Sequence, residues 1–165
     1  MARVHVDGWK TAYRGIVPDA VLEPLTVELD LAGGFGNSLR QHRAGAAEFV
    51  VTEESGEVVG YAFVAPNRDP DPRHAGELEA IYVLSSRRGR GAGRALVRAA
   101  AAHLLDRGLG SMVVWVLEAN PYRRFYERLG GLPAGRRIGT PHRFGGGPLP
   151  EVAYGWPDVR GLAGR

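Results

Sequence analysis

The stretch that most constrains this chain runs from Glu77 to Gly93: Glu-Leu-Glu-Ala-Ile-Tyr-Val-Leu-Ser-Ser-Arg-Arg-Gly-Arg-Gly-Ala-Gly. Leu78, Ile81, Tyr82, Val83 and Leu84 carry β-favouring bulk and read as a strand. Ser85-Ser86 is a turn, followed by alternating arginine and glycine. From Arg94 to Leu105 the composition is strongly helical, with apolar residues at helical spacing. The glycines therefore sit where a strand becomes a helix. Such a junction aims unpaired backbone N–H groups and the positive end of a helix dipole at one point. Glycine lets a bulky anion approach that backbone, so the stretch predicts a phosphate or pyrophosphate site.

Three glycine-rich patterns compete for it. A Walker loop needs Gly-x-x-x-x-Gly-Lys-[Ser/Thr], and the chain's only lysine is Lys10. A dinucleotide fingerprint needs Gly-x-Gly-x-x-Gly, whereas Gly89-Arg90-Gly91-Ala92-Gly93 gives Gly-x-Gly-x-Gly. The third, [Gln/Arg]-x-x-Gly-x-[Gly/Ala], is met by Arg88, Gly91 and Gly93. It resembles the acyl-CoA loop of the GNAT superfamily of N-acyltransferases, in its bacterial type. Three further segments resemble that family: Glu77–Val83 its fourth strand, Val113–Gly131 its fifth strand and following helix, and Val4–Pro18 its first helix. The resemblance runs from about residue 3 to about residue 155, and its specific part is 77–131.

Composition fits one domain. The 165 residues are 44% hydrophobic and 24% charged, a globular balance with enough chain for a real core. No apolar run approaches the ~18 residues of a membrane span. The N-terminus shows no signal-peptide core. With no cysteine, disulfides, thiolate zinc sites and cysteine nucleophiles are excluded. The expectation is a soluble cytoplasmic protein without membrane association. Arg87, Arg88, Arg90, Arg94 and Arg98 crowd the glycine loop. A polyphosphate ligand explains the cluster better than nucleic acid, because no aromatic residues interleave it. His5, His42, His74, His103 and His142 show no metal-ligand spacing, so no metal is expected.

In chain order, the sequence predicts helices over 3–13, with Val4, Val6, Trp9 and Tyr13 inward, and from Pro18 to about Leu31. A glycine break at 33–37 precedes a short helix over 38–43. Strands follow at 48–52, 58–65 and 76–84, then a helix over 92–106 stopped by Gly108. A strand over 111–117 is apolar throughout and suits burial on both faces. A helix spans 121–129, and two strands lie within 136–156 around Gly145–Gly147. The expected fold class is α/β: a mixed, mostly antiparallel twisted sheet flanked by helices, one GNAT-like domain over 1–165. The chain opens inside the family's first helix, so the family's usual first strand is missing from this expectation. That leaves a sheet edge for pairing with a second copy, a homodimer.

The resemblance implies acetyl transfer from acetyl-CoA to a primary amine, on a small molecule or a protein, by direct attack in a ternary complex. The strands would splay after Val83, with pantetheine against Ile81, Tyr82 and Val83. The pyrophosphate would take the N–H groups of Arg88, Gly89, Arg90, Gly91, Ala92, Gly93 and Arg94. An amine of pKa ~10.4 is neutral in only about one molecule in a thousand at pH 7, so a base is useful. Glu77 matches the family's base, and Glu79, two residues on along the same strand face, is the second candidate. Tyr126 matches the general acid, and Asn120 would hydrogen-bond pantetheine. The family separates these last two by seven residues; here the gap is six, which turns the helix by roughly 100° unless the loop absorbs it. A polycationic acceptor would require convergence among Asp19, Glu23, Glu28, Asp30 and Asp69–Asp71. The alternative reading is a non-catalytic acyl-CoA-binding module.

Overall fold

The computed structural model describes residues 1–33, 43–69, 73–139 and 147–164. The expected helix over 38–43 and the glycine turn at 145–147 fall largely outside them, as do His42, Asp71 and His142. The elements are α1 (Ala2–Ala12), α2 (Asp19–Leu22), α3 (Val27–Ala32), β1 (Ala47–Thr52), β2 (Val58–Pro66), β3 (Gly76–Val83), a 3-10 turn (Ser85–Arg87), α4 (Ala92–Asp106), β4 (Met112–Leu117), α5 (Arg124–Arg128), β5 (Leu132–Ile138), β6 (Pro150–Trp156) and α6 (Arg160–Ala163). The six strands form one sheet in the order β1-β2-β3-β4-β6-β5. Every pairing is antiparallel except β3 with β4. The predicted α/β class, with helices flanking a mostly antiparallel sheet, is what the chain adopts.

Each face of the sheet buries its own helix. On one side Leu96, Val97, Ala100, Ala101 and Leu104 of α4 pack against Leu78, Val114 and Val116. On the other, Ala2 and Val4 of α1 meet Val59 and Tyr61, while Trp9 packs with Val17, Leu22, Leu25 and Leu117. Among the described residues β1 and β5 are the sheet edges, exposing Val50, Leu132 and Ile138.

Three sequence expectations change. The helix expected from Pro18 to Leu31 is two short helices, because Pro24 lacks an N–H and clashes with the preceding turn. The chain restarts at Thr26, whose Oγ1 accepts from Leu29 N–H at 3.3 Å as an N-cap. The restart rotates α3 so that Leu29 and Leu31 face solvent and Asp30 is fully buried, accepting from His5 Nδ1 at 2.8 Å. The helix expected over 121–129 forms only from Arg124, after a turn. The strand expected from Arg136 already begins at Leu132.

Gly8, inside α1, is where the helix touches the sheet most closely. A Cβ there would lie 2.4 Å from Tyr82 Cδ1. The Tyr82 ring cannot easily retreat, since it stacks on Tyr61 at 5.6 Å. Alanine normally stabilises a helix interior by about 0.5–1 kcal/mol over glycine. Gly8→Ala should instead destabilise by about 1–3 kcal/mol through overpacking, read as a lower midpoint with unchanged slope in urea unfolding. An equal or higher midpoint would show that α1 does not set the position of Tyr82.

Candidate active site

The parallel ladder between β3 and β4 is short. It pairs Gly76 with Met112 and Glu77 with Val113, and no residue beyond. From there the strands diverge, although each stays paired on its outer side, β3 with β2 and β4 with β6. The splay thus starts just after Glu77, well before the expected Val83. It opens into a cleft of about 800 Å³. One wall is Glu79–Val83 of β3 and the other is Val114–Leu117 of β4, with Trp9 of α1 and Tyr13, the residue that ends that helix, also lining it.

A register shift places Ala80 opposite Phe63 but Leu78 opposite Val64, leaving Glu79 as the extra residue of a β-bulge. The bulge reverses the alternation of side chains. Leu78 packs under α4, whereas Ala80, two residues on, packs with α1. Glu79 turns into the cleft.

The glycine loop closes one end. Gly89 and Gly91 have φ of +76° and +90°, the left-handed region that favours glycine. Gly91 is the N-cap of α4, and the first α4 N–H to reach a backbone carbonyl is that of Ala95, donating to Gly91 O at 3.0 Å. A Cβ on Gly91 would meet nothing within 4 Å, so open space stands before these N–H groups. Asp7 of α1 anchors the entrance, accepting from Ser85 N–H at 2.7 Å and Ser85 Oγ at 3.0 Å. Arg88 ties three walls together. It donates to Thr11 Oγ1 at 2.7 Å, to Tyr122 Oη at 2.5 Å and to Val83 O at 3.3 Å.

Comparison with known proteins now decides the family: the Acetyltransferase (GNAT) family matches residues 16–131. The chain belongs to the GNAT family of acetyltransferases. It is 37% identical over 163 residues to an uncharacterized N-acetyltransferase, YuaI, of Bacillus subtilis (strain 168), covering 98% of this chain and 88% of that one. A shorter match, 37% identical over 87 residues, covers 51% of this chain and 30% of a mycothiol acetyltransferase of Thermobispora bispora. Among solved structures, an N-acetyltransferase from Staphylococcus aureus Mu50 superposes with a TM-score of 0.63 at 21% identity, covering 96% of this chain and 92% of that one. A putative acetyltransferase from Salmonella typhimurium, yncA, determined with its cofactor acetyl-CoA, gives 0.60 at 22% identity, covering 96% and 87%.

Within this GNAT cleft, the predicted residues separate into two groups. Glu79, Ile81, Tyr82, Val83, Arg88, Gly89, Gly91, Ala92, Gly93, Arg94, Asn120 and Tyr126 all line it. Glu77 and Arg90 do not. Glu77 is buried, and both its oxygens are held by Arg68: Nε donates to Oε2 at 2.9 Å and the guanidinium to Oε1 at 2.5 Å. Glu79 is ion-paired with Arg43, and Arg68 Nε approaches it at 3.7 Å. The missing residue between Asn120 and Tyr126 is absorbed in the turn before α5. Asn120 Oδ1 accepts from Tyr122 N–H at 2.9 Å, and Tyr126 still reaches the cleft, stacked on Tyr154 at 5.9 Å.

Sequence reasoning missed Tyr13, Trp115 and Glu151, which line the same cleft. Alternation along a strand could have placed Trp115 beside Val113 on one face, but nothing local marks Glu151. Of the carboxylates considered for a cationic acceptor, Asp30 is tied to His5 and Asp69 to Arg137. Glu79 and Glu151 are the carboxylates that reach the cleft. The described residues contain no cluster of three or more metal-ligating side chains and no helix long and apolar enough to cross a membrane.

Burial pushes the hydroxyls of Tyr61, Tyr82 and Tyr126 well above the ordinary phenol value. In the unfolded chain tyrosine ionises near ~10. Below that pH both states are protonated, and the stabilisation is fully present. Above it the unfolded chain releases protons that the folded protein keeps. Stability should then fall by up to about 1.4 kcal/mol per pH unit for each such tyrosine. Thermal melts should be flat up to about pH 9.5 and drop steeply beyond. Ultraviolet titration of the folded protein should show these tyrosines lagging; their ionisation near the ordinary value would contradict the buried arrangement.

Proposed function

We propose that the protein transfers the acetyl group of acetyl-CoA to a primary amine by direct attack in a ternary complex. The observation that carries this reading is the polarity of the cleft. Its glycine-loop residues bring backbone N–H groups together with Arg88 and Arg94, while Glu79 and Glu151 line it from β3 and β6. A polyanion suits the first group and a cationic amine the second, with the apolar gap between β3 and β4 joining them.

Acetyl-CoA supplies the activated thioester. The N–H groups from Arg88 to Arg94 hold the pyrophosphate. The inner edge of β3 at Ile81 and Val83 has no strand partner on the β4 side; Val83 O accepts from Arg88 Nε, and the edge's remaining backbone groups would pair with an amide-bearing arm. A backbone N–H near Val83 polarises the thioester carbonyl. In this reading Asn120, three residues beyond the end of β4, hydrogen-bonds the same arm through its side-chain amide. The amine nitrogen bonds to the acetyl carbon as the carbon–sulfur bond breaks. Glu79 receives the amine proton, directly or through water, and Tyr126 donates its proton to the departing sulfur. Its raised pKa keeps that proton in place at neutral pH. We assign the base to Glu79 rather than Glu77 because Glu79 lines the cleft and Glu77 has both oxygens engaged by Arg68.

Calorimetry with acetyl-CoA, NAD and ATP tests the donor: micromolar binding of acetyl-CoA alone is expected, weakened by Gly91→Val, which fills the open space before the loop. Free-thiol release with an amine panel tests the chemistry. Glu79→Gln and Tyr126→Phe should each lower kcat by about 10²–10⁴. Glu77→Gln should act mainly on stability. Absence of acetyl-CoA binding removes the donor assignment, and equal kcat losses for Glu77→Gln and Glu79→Gln remove the choice of base.

A further inference from the structure

Glu151 takes no part in the bond changes just described, yet it reaches the same cleft. It stands at the start of β6, opposite Leu117 in the ladder with β4. Its position is fixed from two sides. Arg137 Nε donates to Oε2 at 2.7 Å. Gly139 lies so close that a Cβ there would fall 2.7 Å from the Glu151 carboxyl carbon and 2.9 Å from Oε1. The other oxygen, Oε1, takes no hydrogen bond from any described residue. Glu79 is similar: Oε1 faces Arg43 and Arg68, and Oε2 takes no hydrogen bond from a described residue.

Trp115 of β4 lines the same cleft as these two carboxylates. Its ring already carries one cation, the Arg137 guanidinium, 4.0 Å from the ring centroid, so this aromatic surface is one on which positive charge is stable. Tyr13, the residue that ends α1, lines it too. Burial raises the pKa of its hydroxyl, the hydrogen bond with Tyr82 offsets part of that rise, and the negative charge of Glu151 adds a smaller increase. Arg137 does not neutralise Glu151 alone, because its NH1 also donates to Asp69 at 2.9 Å.

We propose that Glu151 is a specificity-determining residue that binds a second cationic group of the acceptor, so that the preferred acceptor is a compact diamine rather than a monoamine. The assignment rests on the N-acetyltransferase reading above. The reacting amine is taken at Glu79, beside the gap between β3 and β4. The distal ammonium hydrogen-bonds the Glu151 carboxylate. A monoamine with the same carbon chain leaves that contact to water. An amino acid brings a carboxylate towards Glu79 and Glu151, where like charges repel.

The test compares 1,4-diaminobutane with n-butylamine by free-thiol release from acetyl-CoA. A charge-assisted hydrogen bond made in a partly desolvated cleft predicts a kcat/KM higher for the diamine by about tenfold or more. The difference should lie in KM rather than kcat, because the contact is made equally before and during bond formation. Glu151→Gln should collapse the diamine-to-monoamine ratio towards one, and Glu151→Asp should restore part of it. The fold should tolerate Glu151→Gln, since Arg137 keeps Asp69 and Trp115. The wild-type comparison needs no variant at all. Turnover of n-butylamine equal to that of the diamine overturns this inference and leaves the acetyltransferase reading standing, as does a ratio that survives Glu151→Gln. Binding of acetyl-CoA with turnover of neither amine overturns this inference, and the acetyltransferase reading falls with it only when the whole amine panel is inert.

Discussion

The ladder between β3 and β4 ends after two residue pairs, and the rest of the site depends on that early stop. Gly76 and Glu77 are paired with Met112 and Val113, and α4 presses on this junction closely enough that a Cβ on Gly76 would lie 2.5 Å from Leu104 Cδ1. Past it, two strands run on with one edge each facing the gap. Unpaired backbone groups shielded from water are costly. A cleft lined by two such edges favours an occupant that brings its own amides, and the extended arm assigned to this gap is of that kind. A ladder two residues longer would close the cleft and separate the glycine loop from the carboxylates.

The bulge at Glu79 is the second constraint, and it separates two glutamates that a regular strand would treat alike. Glu77 precedes it and is held by the fork of Arg68. Glu79 is the extra residue and turns into the cleft. Their difference in chemistry is therefore one of placement. That placement is what assigns the base to Glu79 in the proposed mechanism, since Glu79 lines the cleft and Glu77 does not.

The sequence disclosed the parts of this arrangement that are local. The strand, turn, glycine loop and α4 appear where the pattern from Glu77 to Asp106 places them, because each is set by periodicity and by residues fit for one conformation. The shortfall of one residue between Asn120 and Tyr126 was visible too, although its absorption in a turn was not. What stayed hidden depends on pairing across the sheet. A bulge at Glu79 cannot be seen without Phe63 and Val64 beside it, so Glu77 and Glu79 read as equals. Glu151 comes to the cleft through the insertion of β6 between β4 and β5, a matter of strand order. The split of the second helix was legible in Pro24 and was overridden by an apolar periodicity that continued through it. Asp30 shows the cost of that override: the restart at Thr26 buries it beside His5, a pairing across 25 positions.

Apolar and aromatic groups, including Ile81, Val114, Phe125 and Tyr126, line the cleft alongside its charged residues. The consequence is electrostatic. In a medium of low effective dielectric, a phenol resists ionisation and a charge developing nearby is felt more strongly. The burial that raises the Tyr126 pKa thus makes it a poor spontaneous acid in the resting protein. In the proposed transfer, a thiolate forming beside Tyr126 would reverse that balance, because its negative charge is as poorly solvated as a phenolate and a shared proton relieves it. The proposed acid role therefore needs no ionisation of Tyr126 at working pH.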